Sequence, residues 1–176
     1  MTSDSEEGKG GDRLPMRDLV QGSLPMALLR AREATMRRFR PMLAVHDLTE
    51  QQWRVLRALA AHAGDGDTTG LEVSQLGEAT FLLGPSLSRI LTNLEDRALI
   101  TRGISRSDRR RASISITDAG LDLVAVIAPD SEAEYREIEA LLGTRRLDQL
   151  LDLLERLEAT APTSDRDRLR PPLRSA

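Results

Sequence analysis

The sequence predicts a mainly α-helical fold with one small β-hairpin. Three observations predict it. Apolar residues recur at helical spacing along most of the chain, whereas only Ile100 to Ser105 and Ala112 to Thr117 alternate apolar with polar. The charged run Arg106 to Arg111 separates those two segments, as a hairpin tip would. With 176 residues the chain suffices for one compact domain and is too short for two sizeable ones.

From Ser23 to about residue 44, Leu24, Leu28, Ala31, Thr35, Phe39, Met42 and Leu43 form one stripe, so a first helix is expected, with Pro25 in its first turn. Pro41 is expected to kink or end it. Thr49 followed by Gln52 reads as an N-cap with a capping-box partner, opening a second helix through Trp53, Leu56, Leu59 and Ala60. Residues 64 to 70 (GDGDTTG) read as a loop, and a short helix follows from Ser74 to Thr80. Gly84-Pro85-Ser86 starts a fourth helix whose Leu87, Ile90, Leu91 and Leu94 share one face. After the hairpin, Thr117 is the expected N-cap of a helix carrying Leu121, Val124, Ile127, Ile138 and Leu141, which Pro129 should kink or divide. Leu147, Leu150, Leu151, Leu154 and Leu157 mark a last helix.

Two short helices, a hairpin directly after them and long apolar helices at both ends are the order of a winged helix-turn-helix. The β-hairpin is its wing, and the N- and C-terminal helices form a dimerisation bundle. The expected boundaries are disordered tails at 1–18 and 161–176, dimerisation helices within 19–48 and 118–160, and a DNA-binding winged helix at 49–117. Leu24, Leu28, Leu147, Leu150, Leu151, Leu154 and Leu157 are the expected dimer contacts, with ordinary core packing as the alternative.

Composition excludes much chemistry. The chain has no cysteine, which removes disulfides, thiolate nucleophiles and zinc–thiolate sites. His46 and His62 are its two histidines, too few and too far apart for a conventional metal site or a hydrolase triad, so neither catalysis, metal nor cofactor is expected. Four aromatic residues do not make a stacking platform for single strands. No stretch approaches the ~18 apolar residues of a membrane span, and residues 1–12 do not resemble a signal peptide. The expectation is a cytoplasmic protein that does not enter a membrane.

The formal charge is −3, but its distribution is uneven. Gly84 to Arg111 carries seven arginines against three acids, while Leu121 to Thr160 carries four against ten. A basic reading head on an acidic scaffold attracts phosphate locally whatever the total. On the fourth helix the apolar face leaves Ser86, Ser88, Arg89, Thr92 and Asn93 outward, donors and acceptors suited to base edges and phosphates of double-stranded DNA. Arg106, Arg109, Arg110 and Arg111 in the hairpin tip could be a solvated turn. Following a helix-turn-helix, they read as DNA contacts.

Leu71-Glu-Val-Ser-Gln-Leu, the helix Pro85 to Glu95, and Asp108-Arg109-Arg110 followed by Ile114-Ser-Ile-Thr-Asp-Ala-Gly resemble the MarR family of bacterial winged-helix regulators. The resemblance spans roughly residues 20 to 160. Ala27-Leu-Leu-Arg-Ala-Arg-Glu-Ala and Leu48-Thr-Glu-Gln-Gln-Trp-Arg-Val-Leu-Arg look especially like its subgroup of repressors of homoprotocatechuate-degradation operons. The resemblance implies a homodimer on a pseudo-palindromic operator, released by a small aromatic acid effector. It gives Ser88 and Arg89 the recognition-helix roles and Arg110 the minor groove, with Asp108 orienting that arginine. It also implies an effector site between the first helices and the winged domain, with candidates Arg30, Arg32, Phe39, His46 and Trp53.

Bland readings stand beside these: Arg30 and Arg32 as solvated arginines, Trp53 as core, His46 as a helix-end residue. The family's usual glycine after the recognition helix is Ala98 here, so either Ala98 takes a left-handed conformation or the turn differs. The rival function is a winged-helix protein-interaction module without specific DNA binding.

Overall fold

The computed structural model describes residues 23–64, 70–104 and 112–160. The expected tails at 1–18 and 161–176, most of the glycine-rich loop, and the wing tip with Arg106, Asp108, Arg109, Arg110 and Arg111 lie outside the described residues. The elements are α1 (Leu24–Val45), α2 (Glu50–Gly64), β1 (Leu71–Glu72), α3 (Val73–Thr80), α4 (Gly84–Asp96), β2 (Ile100–Ile104), β3 (Ala112–Ile116), α5 (Asp118–Leu142) and α6 (Thr144–Ala159). This is the mainly α winged helix-turn-helix that the sequence predicts. The chain forms two compact units, Met1–Ala128 and Pro129–Ala176.

Local chemistry sets most helix ends. The Ser23 side chain accepts from the Met26 N–H at 3.3 Å, with Pro25 in the first turn of α1. At the start of α2 the capping box is complete: the Thr49 N–H donates to Gln52 Oε1 at 2.7 Å, and the Gln52 N–H to Thr49 Oγ1 at 3.3 Å. Thr117 caps α5, accepting from the Gly120 N–H at 3.0 Å while donating to the Ala98 carbonyl at 2.8 Å.

Four features differ from expectation or settle it. The wing is a three-stranded antiparallel sheet ordered β1-β3-β2, with Leu71 opposite Ile114 and Glu72 opposite Ser113. Gly70, at φ +74°, leads into β1 where any Cβ would collide with the Ser113 and Ser115 hydroxyls. Pro41 lies inside α1, four residues short of its end, and α5 runs through Pro129 undivided. Leu83 is the N-cap of α4, one residue earlier than the sequence suggests, with Pro85 still in the first turn.

The core of the first unit is built from Leu43, Leu48, Trp53, Val55, Leu56, Leu59, Leu76, Leu87, Leu91, Leu94, Leu99, Ile100, Ile114 and Ile127. Each fully buried leucine among them contributes about 2 kcal/mol through area removed from water. Three helices enter this core and end in the same way. Asp47, Phe81 and Ala98 take positive φ (51°, 53° and 55°) just past α1, α3 and α4. In each case the next residue's N–H reaches back into the last turn: Leu48 to Leu43 at 3.0 Å, Leu82 to Gly77 at 3.2 Å, Leu99 to Leu94 at 3.0 Å. These are Schellman endings, and the leucine after each left-handed residue packs into or against the core. Of the two readings left open for Ala98, the left-handed one is observed.

The second unit is different in kind. No residue of α6 is buried, and Leu150, Leu151, Leu153, Leu154 and Leu157 are all exposed. Its i,i+4 pair between Arg156 and Asp152 is solvated and adds little. Among the described residues, no helix is long and apolar enough to cross a membrane.

Candidate nucleic-acid interface

Helix α4 divides cleanly. Leu87, Leu91 and Leu94 are buried, while Ser86, Ser88, Arg89, Thr92 and Asn93 are exposed. Because α4 is anchored through three leucines spaced four and three residues apart, its outward face is fixed in rotation. Ser88, Arg89, Thr92, Asn93 and Asp96 line an open depression of about 360 Å³.

Three further residues hold this face, a role that the sequence reading assigned to none of them. Arg102 on β2 donates through Nε to Glu95 Oε2 at 2.7 Å and through a terminal nitrogen to Thr92 Oγ1 at 3.1 Å. Strand β2 is thereby clamped to the outward edge of α4. The Thr92 hydroxyl, whose proton goes to the Ser88 carbonyl at 3.1 Å, keeps little capacity of its own for a base edge. Gln52, nearly buried, donates through Nε2 to Asn93 Oδ1 at 2.6 Å, joining the α2 capping box to the reading face. Arg97, at the C-cap of α4, donates to the carbonyls of Asp47 at 2.8 Å and His46 at 3.1 Å. Arg97 and Arg102 thus belong to the scaffold, and the positive surplus counted for residues 84–111 narrows to Arg89 and the tip.

The effector candidates lie on α1, at its C-cap and on α2. Phe39 is 4% and Trp53 6% exposed, and Trp53 packs within the core cluster. His46 is half-buried at the end of α1. Arg30 and Arg32 are exposed. Arg32 forms ion pairs with Glu33 and Glu50. Glu50, whose side chain is 10% exposed, also takes Arg54 at 3.0 Å and Arg40 at 3.4 Å. The hydrogen bond from Arg40 holds the Glu33 carboxyl below its ordinary range, and the same pairing raises Arg40. Arg54 also donates to the Thr80 carbonyl at 2.7 Å, tying this network to the end of α3. The dimer candidates are Leu24 (54% exposed), Leu28 (37%), the half-buried Leu147, and the exposed leucines of α6.

A winged helix whose second helix-turn-helix element shows a polar, arginine-bearing face defines a DNA-binding regulator. The comparisons narrow the class. Residues 46–111 match the MarR family. The chain is 38% identical over 148 residues to the homoprotocatechuate degradative operon repressor of Escherichia coli, covering 84% of this chain and 96% of that one. Among solved structures, NadR in complex with 4-hydroxyphenylacetate superposes with a TM-score of 0.68 at 32% identity, over 92% of this chain and 100% of NadR. The transcriptional repressor CouR bound to a 23-mer DNA duplex gives 0.68 at 28% identity, over 84% and 99%. The chain belongs to the MarR family and is a DNA-binding transcriptional regulator, not an enzyme.

Proposed function

We propose that this regulator is a homodimeric repressor of an operon for the breakdown of aromatic acids, released from its operator when a small phenolic or aromatic carboxylate binds. The observation that carries the DNA half is the exposed row Ser86, Ser88, Arg89, Thr92 and Asn93 opposite a buried leucine face. Arg89 reads base edges in the major groove, and the two serines hold phosphates. Residues 49–117 form the reading unit. Its wing tip follows the backbone through Arg106, Arg109 and Arg111 and enters the minor groove with Arg110, which Asp108 orients. Residues 19–48 and 118–160 dimerise through Leu24, Leu28, Leu147, Leu150, Leu151, Leu154 and Leu157. The exposure of the α6 leucines supports this.

The effector half draws on the names of relatives: a homoprotocatechuate operon repressor and a regulator holding 4-hydroxyphenylacetate. Arg30 and Arg32 offer guanidinium groups to a carboxylate, with Phe39, His46 and Trp53 as ring neighbours. Arg32 already pairs with Glu33 and Glu50, so an arriving carboxylate exchanges for one of them.

Fluorescence anisotropy with a duplex from the regulator's own upstream region, at two salt concentrations, tests both halves. Tight, salt-sensitive binding released by 4-hydroxyphenylacetate or homoprotocatechuate is the expected result. Binding that no hydroxylated aromatic acid loosens removes the effector class. Absence of salt-sensitive binding removes the operator reading.

A further inference from the structure

Resting on the reading that α4 faces DNA, we propose that Gln52 is the positioning residue that turns the Asn93 amide NH2 toward a base acceptor in each half-site. Gln52 itself stays behind the reading face, about 9% exposed, and touches no DNA.

The orientation follows from donors that cannot be exchanged. The Thr49 backbone N–H can only donate, so the Gln52 atom 2.7 Å from it is the carbonyl oxygen. The other branch of the Gln52 amide must then be NH2, and it points at Asn93 across 2.6 Å. Asn93 can meet an N–H donor only with its carbonyl oxygen. Its own NH2 is therefore the branch left for the exposed side, in the depression it shares with Ser88, Arg89, Thr92 and Asp96. A relay of two amides, anchored on one backbone N–H, converts Asn93 from a residue that could offer either edge into a fixed donor. The acceptors this selects in a major groove are guanine O6 and N7, adenine N7 or thymine O4. An unrestrained asparagine would present both edges to adenine instead.

The relay is short, and Arg97 braces it. One turn further along α4, Arg97 grips the His46 and Asp47 carbonyls, so the α1–α2 junction and the last two turns of α4 move as one piece. Asn93 is thus held in position by Arg97 and in orientation by Gln52.

Gln52→Glu isolates the orientation. A glutamate retains the acceptor for the Thr49 N–H, and so the capping box, but faces Asn93 with oxygen, which turns the Asn93 amide over and presents Oδ1 to DNA. Asn93→Asp places an acceptor at the same spot from the exposed side, with no demand on the core. The experiment is sequence selection from a duplex library with a randomised centre, using wild type, Gln52→Glu, Asn93→Asp, Asn93→Ala and the double variant Gln52→Glu/Asn93→Ala.

The expected result is a shared change in Gln52→Glu and Asn93→Asp: preference shifts about tenfold toward a donor base at one position of each half-site, other positions staying unchanged. Asn93→Ala loses preference at that position, and the double variant matches it. A wild-type motif retained in Asn93→Asp, or in a folded Gln52→Glu, overturns the proposal. So does weaker binding in both with no change of motif, which would place Asn93 on phosphate. Wild type selecting no motif instead removes the operator reading itself, and this proposal with it.

Discussion

Helices α4 and α6 are written in the same alphabet and meet opposite fates. Both carry leucines three and four residues apart along one face. In α4 those leucines are at most 1% exposed, and the helix is further tied by Gln52, Arg97 and Arg102. In α6 none is buried, and Leu154 and Leu157 are each 37% exposed. Amphipathic periodicity reports that a face needs covering. It does not say whether the cover comes from the same chain.

The largest test of that difference is truncation of a leucine on each helix. Leu94→Ala should lower unfolding free energy by about 3 kcal/mol, the combined loss of transfer energy and a cavity, at every protein concentration. Denaturant melts read it, and a cost under about 1 kcal/mol would deny that α4 is anchored as described. Leu154→Asp should leave the melt of the winged unit nearly unchanged. It should weaken self-association by about 100-fold and remove the dependence of melting temperature on concentration that a dimer shows. Sedimentation at two loading concentrations reads this, and an unaltered mass distribution would return α6 to a helix without a partner.

A smaller effect separates the face of α4 from its clamps. Arg89→Ala should cost about tenfold in operator affinity and relax preference at one base position, since a guanidinium facing a base edge carries sequence information. Arg109→Ala, on the backbone, should weaken all duplexes alike and lower the salt slope by about one. Arg102→Ala belongs with neither. By releasing β2 from Thr92 and Glu95 it should weaken binding without altering the preferred sequence. Binding titrations against matched and mismatched duplexes at two salt concentrations sort the three patterns. If Arg102→Ala changes base preference, Arg102 is a reader and not a clamp.

Local chemistry explains what the sequence disclosed and where it stopped. Thr49 with Gln52, Pro25, Pro85 and Thr117 act within one helical turn, so their spacing is visible in the chain itself. The polar row of α4 was legible because an anchored helix has only one outward face. β1 escaped because two residues cannot show alternation; it exists by pairing with β3, more than forty residues onward. The second end of the Gln52 amide and both nitrogens of Arg97 reach across 41 to 51 residues. A capping-box glutamine or a basic residue in a charge count looks complete without them. Continuity through Pro129 was not legible either, since proline's local penalty in a helix interior marks a break that the chain does not make.

The smallest expected effect lies at Ala98, where the two regimes of argument meet. The left-handed conformation costs an L-residue about 1–2 kcal/mol. Three bonds compensate at this site: Ala98 N–H to Glu95, Leu99 N–H to Leu94, and the Thr117 hydroxyl to the Ala98 carbonyl. Glycine would keep all three, since none uses the side chain, and would remove the steric cost. It would also loosen the unfolded chain, which offsets about 0.4–1 kcal/mol. Ala98→Gly should therefore stabilise the protein by about 0.5–1 kcal/mol, raising the melting temperature by a few degrees. Asp47→Gly should gain less, because aspartate tolerates this conformation better than alanine does. Melting curves of the two variants beside wild type decide it. A lower melting temperature for Ala98→Gly would mean that the turn after α4 is held by something other than backbone conformation.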